Sequence, residues 1–186
     1  MEEWIFTVID ITENYFNKEI WEEVKLEVYK CASEHKFGVS NFLYPENIIS
    51  PIPILIYDIQ FNNPELFQKL CDYDVDKMGV NYSDKFVHKV IRFFSPGSYM
   101  NESVDSNESE FYTHFLNEKW NEDWGGFFTY KNDSYHSILP ESNKLIKYDY
   151  SIPNQVTPTI NNPPMLITLQ TTVTSKNFDN TDFFFG

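Results

Sequence analysis

A chain of 186 residues, 41% hydrophobic and 18% aromatic, carries enough apolar mass for one well-filled core and too little length for two comfortable domains. Its 28 acidic against 14 basic side chains leave a formal charge of −14. A surface that negative repels nucleic-acid phosphate and anionic lipid, so DNA, RNA and membrane binding are excluded as expectations. The 17 Phe, 12 Tyr and 4 Trp also exclude a disordered acidic tail, because such segments lack residues that bury area.

Along the chain, Trp4 to Asp10 reads as a short strand, after which Thr12 caps a helix whose apolar positions Phe16, Ile20, Val24, Val28 and Cys31 recur at helical spacing. That helix ends near Gly38. Its charged face, Glu13, Lys18, Glu22, Glu23, Lys25 and Glu27, reads as a solvated surface. A loop with three prolines follows from Pro45 to Pro53. Ile54–Ile59 then reads as a strand or an extended segment, and Pro64 starts a shorter helix carrying Leu66, Phe67 and Leu70. From Lys85 the texture changes to short β-rich runs: Phe86–Phe94, Glu110–Leu116, Gly126–Tyr130, His136–Leu139, Lys144–Tyr150, Gln155–Thr159 and Met165–Thr174. Turn formers such as Ser95-Pro96-Gly97, Gly125-Gly126 and Asn161-Asn162-Pro163-Pro164 separate them. Helices first and many strands afterwards predict an antiparallel sandwich with helices packed on one face.

One domain is expected: residues 1–84 as a supporting strand and helices, 85–174 as the β core and 175–186 as an aromatic tail. The two cysteines, Cys31 and Cys71, are expected as free thiols, Cys31 lying on the apolar stripe of the first helix. The start Met1-Glu2-Glu3-Trp4 is acidic where a secretory or transit signal is basic. No apolar run approaches the ~20 residues of a bilayer span, so the expected location is cytoplasmic.

Little chemistry is legible in isolated motifs. None of His35, His88, His114 and His136 stands at a spacing that places a second metal ligand on the same helix or hairpin face. There is no CxxC pair, P-loop or GxSxG, and Asp72, Asp74, Asp76 and Asn81 lack the glycine and terminal glutamate of a calcium-binding EF-hand loop.

The segment from Val90 to Thr172 carries a more specific signal. Ile91-Arg92-Phe93-Phe94-Ser95-Pro96-Gly97, Phe115-Leu116-Asn117 with Trp120, Trp124-Gly125-Gly126, and Pro140 with Asn143 and Leu145 keep the order of a family pattern and come close to its spacing. Together they resemble the prolyl-4-hydroxylase-like branch of the 2-oxoglutarate/Fe(II) dioxygenases over about half the chain. The resemblance implies a double-stranded β-helix, a mainly β jelly-roll barrel of the α+β class with N-terminal helices on one face. It also implies a mouth that holds one iron.

Such a site needs a His-x-Asp, a distant His and a cation: two imidazoles and a carboxylate hold Fe(II), and the cation pairs the far carboxylate of 2-oxoglutarate. Carried onto this sequence, the first motif falls on Ser103-Val104-Asp105, keeping Asp105 and replacing an imidazole by Ser103. The distal motif falls on Pro153-Asn154-Gln155-Val156, replacing the second imidazole by Asn154 or Gln155. The cation position falls on Met165, and no Arg or Lys follows until Lys176. A hydroxyl and a carboxamide are weak neutral ligands, and a carboxylate buried against Met165 is unpaired, so neither Fe(II) nor 2-oxoglutarate is expected to bind. His114 and His136 are the possible substitute ligands. His114 neighbours the mouth-facing Phe115 and so points to the opposite sheet face by strand alternation, whereas His136 reaches the rim only under a one-residue register change.

The leading expectation is therefore a pseudoenzyme: a dioxygenase-fold scaffold that binds a protein partner, an active paralogue or a second copy of itself. The alternative is an active 2-oxoglutarate/Fe(II)-dependent hydroxylase with a non-standard site built on Asp105 and a relocated histidine. A third is a mouth recruited for an unrelated small molecule. Phe178 and Phe183-Phe184-Phe185 are expected either to pack on the sheet or to form a partner patch.

Overall fold

The structure is a computed structural model that describes residues 9–39, 52–103, 109–149, 151–161 and 163–175. Its elements in chain order are β1 (Asp10–Thr12), α1 (Lys18–Glu34), β2 (Gly38–Val39), β3 (Ile54–Asp58), α2 (Ile59–Asn62), α3 (Pro64–Met78), β4 (Lys85–Phe94), β5 (Met100–Ser103), β6 (Ser109–Phe115), β7 (Phe128–Lys131), β8 (Tyr135–Ile138), β9 (Leu145–Asp149), β10 (Asn154–Val156) and β11 (Leu166–Ser175). Asn17, not Thr12, caps α1: its side chain accepts from Ile20 N at 2.9 Å, while Thr12 belongs to β1. The helix stops at Glu34, where His35 takes a left-handed conformation three residues before Gly38. The expected strand at Trp4–Asp10 and the aromatic tail lie largely or wholly outside the described residues.

Among the described residues, eleven strands form two antiparallel sheets, ordered β1-β9-β6-β11-β4-β3-β2 and β5-β10-β7-β8. This is the jelly-roll order, and the strands β1, β2 and β3 of the N-terminal part join the larger sheet. Period-2 alternation gives each face of that sheet its own core. On one face Tyr57, Ile91, Phe93, Tyr112, Leu169 and Val173 pack against Phe16, Ile20 and Val24 at and along α1 and Leu66 and Leu70 of α3. On the other, Ile54, Phe94, Phe115, Ile146, Tyr148 and Leu166 meet Phe128, Ile138 and Val156 of the smaller sheet. Each such fully buried side chain stabilises the fold by roughly 1.5–3 kcal/mol relative to exposure.

The residues that carry the sequence resemblance turn out to be joints of this framework. Asn117 ties β6 to β11, donating from Nδ2 to Met165 O at 2.8 Å and accepting from Ile167 N at 2.7 Å. Trp120 Nε1 donates to Gly125 O at 2.9 Å. Gly125 adopts φ +69°, and a Cβ there would lie 2.4 Å from Pro158 O, so no other residue fits without displacing the backbone. Asn143, also at positive φ, holds the chain leading into α1: Oδ1 accepts from Phe16 N at 2.9 Å and Nδ2 donates to Phe16 O at 2.8 Å.

Asp72, Asp74 and Asp76 stand on α3 and not in a loop. Asp74 points inward and pairs with buried Lys89 of β4 at 2.5 Å, where Tyr15 and Tyr82 hydroxyls also donate to it. This buried network locks α3 onto the sheet. Cys31 and Cys71 are both buried free thiols, and burial pushes them up to about 12 and about 11, which makes them inert at neutral pH. Among the described residues no helix is long and apolar enough to cross a membrane.

Candidate functional site

The four-stranded sheet builds one end of the jelly roll as a single row. Ser103 of β5 pairs with Asn154 of β10, Asn154 with Tyr130 of β7, and Tyr130 with His136 of β8. Val156, Phe128 and Ile138, two residues further along their strands, line the inter-sheet core, so Asn154, Tyr130 and His136 share that inward face. The register shift between β10 and β5 inserts one extra residue and keeps Ser103 opposite Asn154. The two positions taken from separate sequence motifs are thus brought together, one a serine and the other an asparagine. Asp105 lies outside the described residues.

Asn154 Nδ2 donates to Ile152 O at 3.0 Å. The Tyr130 ring stacks on His136 at 5.0 Å, and His136 Nε2 is 3.2 Å from Ser134 Oγ at the exposed edge. His136 is therefore on the row, but two strands from Asn154, a Cα separation of about 10 Å at ~4.8 Å per strand, with Tyr130 between them. A small recess of about 190 Å³ beside the row is lined by Ile9, Tyr130, Lys131, Asn132, Ser151 and Ile152.

His114 is turned to the helix layer, as strand alternation requires with Phe115 in the inter-sheet core. It sits 1% exposed among Tyr15, Phe16 and Trp21, with the Phe16 ring at 4.1 Å. Its Nε2 lies 3.0 Å from Asn143 Oδ1; because that oxygen also accepts from Phe16 N, His114 Nε2 is the donor and Nδ1 carries a lone pair with no hydrogen-bond partner. Desolvation holds the imidazole down to about 3, so it stays neutral. It lies behind the sheet and cannot reach the Ser103–Asn154 row. His88 belongs to β4 and bonds Asp58 at 2.6 Å.

Met165 requires a correction. It precedes β11 and is 41% exposed, and the residue that enters the inter-sheet space at the head of that strand is Leu166, fully buried and paired with Phe94. The socket is still apolar there. One row deeper into the strand, however, Arg92 of β4 pairs with Thr168 and faces the same space, with Nη1 3.4 Å from Met100 Sδ on the opposite sheet. Beyond it Thr113 Oγ1 donates to Gln170 Oε1 at 2.8 Å, 3.4 Å from the Tyr148 hydroxyl. Reading only forward from the distal motif overlooks Arg92; the alternation Val90, Arg92, Phe94 was the available signal.

Solved structures of the same architecture exist. A Pseudomonas putida prolyl-4-hydroxylase superposes with a TM-score of 0.75 at 15% identity, over 92% of this chain and 94% of that one. The fold is that of the prolyl 4-hydroxylases. A Trichoplax adhaerens prolyl hydroxylase, solved with a hypoxia inducible factor peptide, gives 0.74 at 15% identity over 92% and 86% of the two chains. A Burkholderia pseudomallei oxidoreductase of the 2OG-Fe(II) oxygenase family gives 0.65 at 12% identity over 94% and 86%. No family model and no curated protein sequence matches the chain.

Ser103 and Asn154, onto which the sequence resemblance carries the two imidazoles, bear a hydroxyl and a carboxamide, weak neutral ligands for Fe(II), and among the described residues no three His, Cys, Asp or Glu side chains converge.

Proposed function

We propose that this protein is a catalytically degenerate member of the prolyl-hydroxylase fold, a cytoplasmic subunit that works by binding protein partners, an active paralogue in a hetero-oligomer first among them. The observation that supports this reading is the Ser103–Asn154 pair: the two positions onto which the sequence resemblance carries the imidazole ligands are paired across β5 and β10, and they hold a serine and an asparagine. The retained joints Asn117, Trp120, Gly125 and Asn143 support it, since each serves the framework and none requires a bound metal. Leu166 at the head of β11 adds an apolar wall where an anion would need a charge.

The test is anaerobic calorimetric titration of the apo protein with Fe(II) and then 2-oxoglutarate, with metal analysis of the purified sample. Absence of binding at micromolar concentrations is expected. A second reading, an active hydroxylase with a non-standard site on Asp105, draws on Arg92, whose guanidinium is a cation facing the inter-sheet space. Stoichiometric Fe(II) binding abolished by Asp105→Ala, together with 2-oxoglutarate binding abolished by Arg92→Met, would replace the first reading with the second.

A further inference from the structure

The helix layer carries a second concavity, on the far side of the larger sheet from the Ser103–Asn154 row. A groove of about 320 Å³ runs between α1 and α3, with Leu26, Glu27 and Lys30 on one wall and Asn63, Leu66 and Lys69 on the other. Glu27 is the unusual residue in it. It is only 4% exposed, and its carboxylate meets two neutral donors, the Tyr57 hydroxyl and Asn63 Nδ2 at 2.8 Å.

No cation of the described residues pairs with Glu27. Of the nearby lysines, Lys69 pairs with Glu19 at 3.0 Å and Glu23 at 2.5 Å and Lys25 with Glu22 and Glu118, both at 2.9 Å, while Lys30 lines the same wall and forms no ion pair with Glu27. A buried carboxylate with neutral partners alone retains lone pairs and a desolvation cost that an incoming cation would offset. Glu65, also lining the groove, is likewise without a cationic partner among the described residues.

The helix layer also exposes large apolar side chains, one of them on the groove wall. Leu26 on the groove wall is 68% exposed, Tyr29 one turn further along α1 is 70% exposed, and Phe61 on α2 is 71% exposed. Burying them needs an apolar partner, and the formal charge of −14 opposes a second copy of this chain in that role.

We propose that the α1–α3 groove is the docking site for an amphipathic helical segment of another protein, which covers Leu26 and its apolar neighbours and directs one arginine or lysine at the Glu27 carboxylate. Helix-in-groove recognition supplies the apolar anchors, and the single cation sets register and specificity. The site is separate from the Ser103–Asn154 row, so it stands whether or not the inter-sheet space binds a metal.

Two synthetic helical peptides of about five turns test it, identical in their leucine face and differing only in a central arginine or its neutral isostere citrulline. Binding is followed by amide chemical shifts and by anisotropy at physiological ionic strength. The arginine peptide should bind about tenfold tighter than the citrulline peptide, the size of one desolvated charge contact, and the shifts should localise at Leu26, Glu27, Asn63 and Leu66. Glu27→Gln keeps a hydrogen-bonding amide at the floor and should bring the two peptides to equal affinity. The exposed Leu26→Ser should weaken both, with the fold intact. Equal affinity of both peptides for the unmodified protein, arginine preference persisting in Glu27→Gln, shifts elsewhere on the surface, or no binding by either peptide would each overturn the proposal.

Discussion

His114 makes the stability of this protein depend on acidity in a way that can be worked from its surroundings. Its imidazole is fully enclosed by Tyr15, Phe16 and Trp21, donates from Nε2 to Asn143, and has no acceptor at hand for a second proton. Desolvation therefore depresses it to about 3 in the folded chain, against an ordinary value of 6.5. Because the folded value is the lower one, the unfolded chain takes up the proton first. The stabilisation is complete above about pH 6.5 and drains away as the pH falls toward about 3. Over the two units from pH 7 to 5 this linkage amounts to about 2 kcal/mol, a sizeable part of a typical 5–15 kcal/mol total. The assay is urea denaturation at a series of pH values, comparing the unmodified protein with His114→Gln, whose side-chain amide can still donate to Asn143 but does not titrate. The variant should lose about 1–3 kcal/mol of packing at neutral pH and show a shallower loss on acidification, by about one proton between pH 6.5 and 4. Identical pH slopes for the two proteins would refute the reasoning.

Three further outcomes are expected. Asn143→Ala removes the bonds to Phe16 N, Phe16 O and His114 and places an alanine at positive φ; urea unfolding should show a loss of about 3 kcal/mol, the size of several orphaned buried groups. Lys89→Met leaves Asp74 buried without its cation, which should cost about 3–5 kcal/mol, while adding Asp74→Leu should recover much of that in thermal unfolding, since removing both charges removes the uncompensated one. Combined Ser103→His and Asn154→His substitution places two imidazoles at paired positions; calorimetry with Ni(II) should then detect stoichiometric binding, absent from the parent in a parallel titration and abolished by Asp105→Ala.

Much of the architecture was legible before the tertiary structure. The apolar spacing Ile20, Val24, Cys31 marked α1, and the alternation in Phe86–Phe94 and Met165–Thr174 marked the two long strands that pair over their full length as β4 and β11. The order of Asn117, Trp120, Gly125 and Asn143 pointed to the jelly roll through the family resemblance alone; of their bonds only Trp120 to Gly125 is local, whereas Asn117 and Asn143 hold Met165 and Phe16, 48 and 127 residues away. Elements held by partners far away in sequence were less visible. β2 and β5 are two and four residues long, too short for a periodic signal, and they exist because β3 and β10 offer them a ladder. The same holds for Asp74, which reads as one of several surface acids on a helix until Lys89 is brought within 2.5 Å.

The site divides along the same line. Residue identity alone determined that Ser103 and Asn154, the positions onto which the sequence resemblance carries two imidazoles, hold none, since no folding can turn a hydroxyl or a carboxamide into an imidazole. Only the tertiary structure decided that Leu166 and not Met165 enters the inter-sheet space and that Arg92 faces it from the neighbouring strand, whereas strand alternation had already turned His114 away from it. A strand shows alternate side chains to opposite faces, so a shift of a single residue reverses every assignment, and that register is set by cross-strand pairing with segments distant in the chain.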